Sequence, residues 1–248
     1  MIENNLPVAV NDVKRYAAIT LLAVVLAGCD NASAPLSFTP EMASFSNEFD
    51  FDPLRGPVKD FTQTLFNDKG EVSKRVTGTL SGEGCFDTLE LHDLEANSGV
   101  ALVLDANYYL DAETQQRKVK LQGKCQLAEL PSAGVTWDTD ESGFIVAAHG
   151  KEMEVKYRYD ADGYPLGKTT VSGERHLSVQ ATPSKDLRKR MDYTAVSLLN
   201  DKPMGKVTQR CDYDRHNNPL SCDLLITDDS VKPAVTRRYT IENSIEYY

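Results

Sequence analysis

The residues with the most definite chemistry are the five cysteines, Cys29, Cys85, Cys125, Cys211 and Cys222. A thiol can take an acyl chain, ligate a metal or form a disulfide, and its surroundings decide which. Cys29 ends the stretch Leu26, Ala27, Gly28, Cys29, behind the basic pair Lys14 and Arg15 and an apolar run from Tyr16 to Ala27. That run is too short for a bilayer span, which takes about 20 apolar residues. Residues 1–28 therefore read as an export signal and not as a transmembrane helix.

Two small residues before a cysteine at the end of such a signal resemble the lipobox of bacterial lipoproteins. The resemblance implies that Cys29 receives a diacylglyceryl group on sulfur, becomes the mature N-terminus after cleavage, and is then acylated on its amine. Two or three acyl chains make an effectively permanent anchor, at about 0.8 kcal/mol per buried methylene. In enteric lipoproteins of this pattern an Asp directly after the cysteine retains the protein at the inner membrane, and here that residue is Asp30. The expected location is the periplasmic face of the cell membrane, with the membrane itself as a partner through the lipid. Met1 to Asp12 adds nothing that a signal peptide needs; Val13 read as the initiator would give Met-Lys-Arg-Tyr. N-terminal peptides of the precursor covering Asn4 to Asp12 would refute that start.

With Cys29 assigned to lipid, four cysteines remain in an oxidising compartment, where two disulfides are the expectation. No Cys-x-x-Cys spacing is present, so no zinc site is assigned. Asp138, Thr139, Asp140, Glu141, Ser142, Gly143 resembles the first half of a calcium loop, but position twelve is His149 where a bidentate acid is needed, and a polar turn is the better reading. No Gly-x-Ser-x-Gly elbow or comparable nucleophile context occurs. The close acid pairs Asp160 with Asp162 and Asp228 with Asp229 read as turn residues. No catalytic residue, metal or cofactor is assigned, and the expectation is a protein that is not an enzyme.

Positions 1–28 hold two basic residues (Lys14, Arg15) and two acidic ones (Glu3, Asp12), so the 220 remaining residues keep the formal charge of -10. Such an acidic chain without a basic cluster lacks the means to neutralise nucleic-acid phosphate. Its length fits one compact domain, giving an expected organisation of a signal at 1–28, a lipidated flexible tether at 29–40 and a single periplasmic β domain at 41–248.

The elements that would build that domain show mostly period-2 alternation, which places alternate side chains on opposite faces of a sheet. In Lys118 to Leu127, residues Val119, Leu121, Gly123, Cys125 and Leu127 share one face and the lysines and glutamines the other. Glu152 to Tyr159 and the C-terminal run around Tyr239, Ile241, Ile245 and Tyr247 behave likewise, while Val100 to Leu104 is apolar on both faces. Ser184 to Met191 is the one plausible short helix, and Glu41 to Pro57 reads as an edge strand or an ordered loop. The expected fold is all-β: an antiparallel protein of consecutive hairpins, either a sandwich or an incomplete barrel.

Turn chemistry fixes one register. YRYDADGYPLGK, Tyr157 to Lys168, aligns without gaps on CDYDRHNNPLSC, Cys211 to Cys222. A hairpin centred on the second copy places Tyr213 opposite Leu220 and Cys211 opposite Cys222, which predicts one disulfide, and Cys85 with Cys125 follows by elimination. The Tyr, Asp and Gly spacing of the first copy also resembles a YD-type repeat of large secreted shell proteins, although hairpin chemistry alone explains it.

Longer stretches, LSFTPEMASFSNEFDFDPLRGPVKDFTQTL (Leu36 to Leu65), VALVLDANYY (Val100 to Tyr109), LQGKCQLAELPSAGV (Leu121 to Val135) and VKPAV (Val231 to Val235), resemble the YnfC lipoprotein family of enteric bacteria. The resemblance implies a lipid-anchored envelope protein modified at Cys29 and implies no activity. Three functions are then open: a non-enzymatic module presenting a sheet surface or edge to an envelope protein, a carrier or sensor of a small apolar ligand, and an envelope-polymer hydrolase using paired carboxylates. A closed dry core would favour the first, a large apolar cavity the second and two facing carboxylates the third.

Overall fold

The computed structural model describes residues 35–248, so Cys29, Asp30 and the signal at 1–28 lie outside the described residues. Sixteen antiparallel strands follow one another around a closed barrel, each paired with the next and the last with the first. They are β1 (Val58–Phe66), β2 (Val72–Leu80), β3 (Phe86–Asp93), β4 (Ser98–Asp105), β5 (Tyr108–Asp111), β6 (Arg117–Gln122), β7 (Gln126–Leu130) and β8 (Val135–Thr139). The second half is β9 (Ile145–His149), β10 (Glu154–Tyr159), β11 (Pro165–Ser172), β12 (Arg175–Pro183), β13 (Tyr193–Leu199), β14 (Lys202–Tyr213), β15 (Pro219–Asp228) and β16 (Val235–Tyr247). Closure comes from the β1–β16 ladder, in which Phe61 faces Ile245 and Leu65 faces Ile241. It removes the exposed edges that a sandwich or an incomplete barrel would leave.

The outer wall carries the charged side of each alternation: Lys118 and Lys120 on β6, Glu154 and Lys156 on β10. The inner face holds Val119, Leu121, Leu127, Val155 and Tyr157, all buried. This is the reverse of a barrel whose outer wall meets lipid hydrocarbon. Among the described residues no helix is long and apolar enough to cross a membrane.

One turn design recurs. Asn67, Asp140, Asp160 and Asp214 each open a hairpin turn, and the side-chain oxygen of each accepts the backbone N–H groups two and four residues on. The residue third after each, Gly70, Gly143, Gly163 or Asn217, has positive φ, which Gly and Asn tolerate best. Asp140 to Gly143 is therefore the β8–β9 turn, and Asp138 and Thr139 end β8. The same chemistry corrects one register: a bulge after Asp212 places Tyr213 opposite Pro219 and not Leu220, while Cys211 faces Cys222. The β10–β11 copy has the matching irregularity, with Tyr159 opposite Pro165. Cys211 is bonded to Cys222 and Cys85 to Cys125.

Further sequence readings change. Lys118 to Leu127 is two strands, β6 and β7, joined by a turn in which Gly123 has φ 56°. Glu41 to Phe49 belongs to a helix, α1 (Pro40–Phe49), where an edge strand or loop was expected. Thr39 caps it by accepting from the Met42 N–H, Pro40 occupies the first turn, and Asp50 ends it in the left-handed region at φ 55°. Residues 42–47 are all buried, as expected of a helix with wall on every side. Ser184 to Met191 contains only the single 3-10 turn Leu187–Lys189.

Helix α1 plugs the barrel. Phe45 stacks on Phe86 of β3 at 4.8 Å and meets Tyr109 of β5 edge-on, while the Ser44 hydroxyl accepts from the Ile145 N–H of β9 and the Asn47 carbonyl from Lys168 of β11. Gly78 on β2 faces inward, where an added Cβ would lie 2.5 Å from the Phe61 ring. The stretch before the helix, expected to be free tether, also packs: Phe38 is 4 % exposed and its N–H donates to the Asp162 carbonyl in the β10–β11 turn.

Candidate functional site

The plug fills the two halves of the barrel unequally. Against β1 to β10 it packs a continuous aromatic and aliphatic core. Across β11 to β14 the inward positions include Ala181, Ala195 and Gly205, too small to reach it, and a cavity of about 370 Å³ remains. That is the low end of the range for small-ligand pockets. Its walls are mainly Leu65, Val179, Ala181, Ala195, Val207, Leu224 and Ile241. Gly167 on β11 permits the closeness of its neighbour, since a Cβ there would lie 2.1 Å from the Val179 carbonyl oxygen.

One end of the cavity is open. Along β12 the inward side chains become more exposed away from the Pro183 end, with Val179 at 36 % and Leu177 at 44 %. The mouth lies at the end of the barrel that carries the β11–β12 and β13–β14 turns. The opposite end is closed where the chain enters. There Arg55, 2 % exposed, pairs with Asp162 at 2.6 Å, donates to the Leu36 carbonyl and lies over the Phe38 ring. Asn218 accepts from the Arg55 N–H and donates to the Arg55 carbonyl and to the Tyr247 hydroxyl.

The floor of the cavity is polar and is assembled by the chain leaving α1. Asp50 turns the backbone back, and Asp52 then lies beside β1 and β14. Gln63 reproduces a strand pairing with its amide, donating to the Asp52 carbonyl and accepting from the Asp52 N–H. Gln209 donates to the Asp52 carboxylate at 3.0 Å, and the Gln209 side-chain oxygen, in a residue with no exposed surface, has no hydrogen-bond partner. Burial pushes the Asp52 carboxyl up to about 6, against the Gln209 hydrogen bond and the Lys74 charge. Burial also raises Tyr164 and Tyr193 on the same lining, so both stay neutral at physiological pH.

The Asp52 shift has a measurable sign. The folded chain keeps a proton that the unfolded chain loses between about pH 4 and 6, so the cost of this group grows as pH rises through that window and is complete above it. Asp52→Asn is expected to stabilise the protein by about 3 kcal/mol at pH 7.5 and by well under about 1 kcal/mol at pH 4. Thermal unfolding at both pH values checks it; equal effects at the two would remove the ionisation argument.

None of the cysteines and acids weighed from sequence as candidates for chemistry lines this cavity. Cys85, Cys125, Cys211 and Cys222 are in disulfides, Asp160 and Asp228 accept backbone N–H groups of their turns, Asp138 pairs with His149, and Asp162 with Arg55. Of the acids on the cavity lining, Asp50 is engaged by Lys168 and Asp52 by Gln209. Among the described residues no group of three His, Cys, Asp or Glu is placed to hold a metal. A second hollow at the closed end runs between Phe38 and the Asp140 and Asp160 turns, whose carboxylates already cap backbone N–H groups. Sequence reasoning missed Asp52, Gln63 and Gln209. The available signal was a glutamine on an otherwise apolar face, Gln63 between Phe61 and Leu65 and Gln209 after Val207.

These features define an up-and-down antiparallel β-barrel with a helical plug, a charged outer wall and a cavity open at one end. The chain belongs to the uncharacterised protein family UPF0257, whose model matches residues 13–248. It is 68 % identical over 235 residues to a protein of Salmonella dublin named UPF0257 lipoprotein YnfC, and 67 % identical to one of the same name in Salmonella typhi; each match covers 95 % of this chain and all of the relative. Among solved structures, a porin-like protein from Bacteroides uniformis aligns with 10 % identity and a TM-score of 0.35, covering 76 % of this chain and 96 % of that one. A LolA superfamily protein from Nitrosomonas europaea aligns with 9 % identity and a TM-score of 0.25, covering 85 % and 94 %.

Proposed function

We propose that this protein is a lipid-anchored envelope protein whose barrel takes up a small apolar ligand without transforming it. The observation that carries the reading is the 370 Å³ cavity, walled by aliphatic side chains and open beside Leu177 and Val179. Exposed apolar surface at a cavity mouth is unfavourable in water and is kept where something binds. An interaction module would have to use the charged outer sheet surface, since the pairing of β1 with β16 leaves no free edge. The lipobox at Cys29 and the lipoprotein names of the relatives support anchoring, and Asp30 supports the periplasmic face of the inner membrane as the site.

The test is photocrosslinking of the full-length protein in isolated membranes with a diazirine-bearing decyl chain, read by mapping the labelled peptides. Labelling is expected on peptides of β12 to β15 and is expected to fall at least tenfold in Ala195→Trp, which fills the cavity from a wall position. Labelling spread over the outer wall, or unchanged by Ala195→Trp, would overturn the reading.

A further inference from the structure

From the polar floor we infer what kind of ligand the cavity takes: an amphiphile whose head donates hydrogen bonds, a hydroxyl or an amide N–H, and whose head is not a carboxylate. The inference rests on the cavity reading above and adds the head-group chemistry. It follows from three groups converging on one point of the cavity lining. Asp52 is held by Gln63 through its backbone and by Gln209 through its carboxylate. That second contact fixes the Gln209 amide with its N–H₂ toward Asp52, which leaves the Gln209 oxygen as an acceptor with no partner in a residue of 0 % exposure. The floor therefore presents two acceptors side by side, one of them unused.

An apolar body entering from the Leu177 end displaces water from Val179, Ala195, Val207 and Leu224 down to that floor. The Gln209 oxygen already lacks a partner in the empty protein, so a ligand that brings a donor to it relieves a standing penalty, and one that brings none leaves the acceptor unsatisfied. A hydroxyl or amide supplies the donor. A carboxylate brings a further acceptor and a further negative charge against Asp52, while the one cation on the lining, Lys74, is already donating to the Asp50 and Phe49 carbonyls. The charge of the chain acts in the same direction, since its formal net value is -10. A site that pairs a specific donor discriminates against analogues lacking it far more sharply than an apolar wall discriminates by size.

The experiment uses the full-length protein in its membrane and the same photoreactive decyl chain. 1-Decanol and decanoate compete against it at pH 7.5, compared at equal mole fraction in the bilayer so that partitioning cancels. Decanol is expected to suppress labelling of the β12 to β15 peptides at about tenfold lower content or less, and Gln209→Leu is expected to narrow that preference at least threefold, leaving the part imposed by the Asp52 charge. Equal competition in the unaltered protein, or stronger competition by decanoate, would overturn the head-group inference and leave the apolar cavity standing. Failure of the chain to label the cavity peptides at all would take down the cavity reading and this inference with it. A decanol preference undiminished in Gln209→Leu would refute the role given to that oxygen.

Discussion

Arg55→Ala is expected to destabilise the barrel by about 3–5 kcal/mol, because removing one member of a buried ion pair leaves the other without compensation. Arg55 is 2 % exposed and its partner Asp162 15 %. Burial lowers the pKa of the Arg55 guanidinium and Asp162 pulls it back, so the pair is needed to keep the charge inside. The same side chain holds the Leu36 carbonyl and covers the Phe38 ring, and its backbone is gripped by Asn218. Loss of the guanidinium should therefore release the entering segment as well as one ion pair. For a domain of this size each kcal/mol moves Tm by about 2–4 °C, so a fall on the order of 10 °C is expected by circular dichroism. Adding Asp162→Leu to Arg55→Met should recover part of the loss, since the orphaned carboxylate is then gone. A drop under 3 °C for Arg55→Ala would show that the closed end does not depend on this contact.

Phe45→Ala should cost a similar amount, about 3–5 kcal/mol, by the loss of buried area and the cavity left behind. Phe45 is 1 % exposed and its ring lies against Phe86, Tyr109 and Phe49. It is the main apolar link between the plug and the β3 to β5 wall, and aromatic pairs contribute about 0.5–1.5 kcal/mol beyond their area. Phe49→Ala, at a half-buried position on the same helix, should cost clearly less. Denaturant unfolding followed through Trp137, 5 % exposed in the same core, measures both. Near-equal costs for the two variants would mean that α1 is held by its ends rather than by its apolar face.

Much of the wall was legible because period-2 alternation is a local property. Val119, Leu121, Gly123, Cys125 and Leu127 were read as one inward face, and all but Gly123, exposed in the turn, are buried. The error there, one strand in place of two, has a simple cause. Leu121 pairs with Leu127 across a turn, and directly paired residues of a hairpin point the same way; an even separation between them carries the alternation through the turn unbroken. The β14–β15 register was legible to within one bulge because a turn type dictates its flanking pairs, and this is why Cys211 opposite Cys222 could be read from the alignment of the two hairpins. Helix α1 was not read, because Ser44, Ser46 and Asn47 are buried against barrel strands, which erases the polar stripe by which a surface helix declares itself. Its Thr39, Pro40, Glu41 start was visible all the same.

The sequence by itself determined the antiparallel hairpin character, the faces of the long strands and one cysteine pairing, all of which follow from residues near one another in the chain. The tertiary structure alone decided that the sheet closes, what plugs it and where the cavity lies. Closure pairs Val58 with Tyr247, and the floor joins Asp52 and Gln209 across 157 positions. Contacts of that separation leave no periodic trace in the chain. They arise only when a complete wall leaves Ala181, Ala195 and Gly205 facing a helix they are too small to touch.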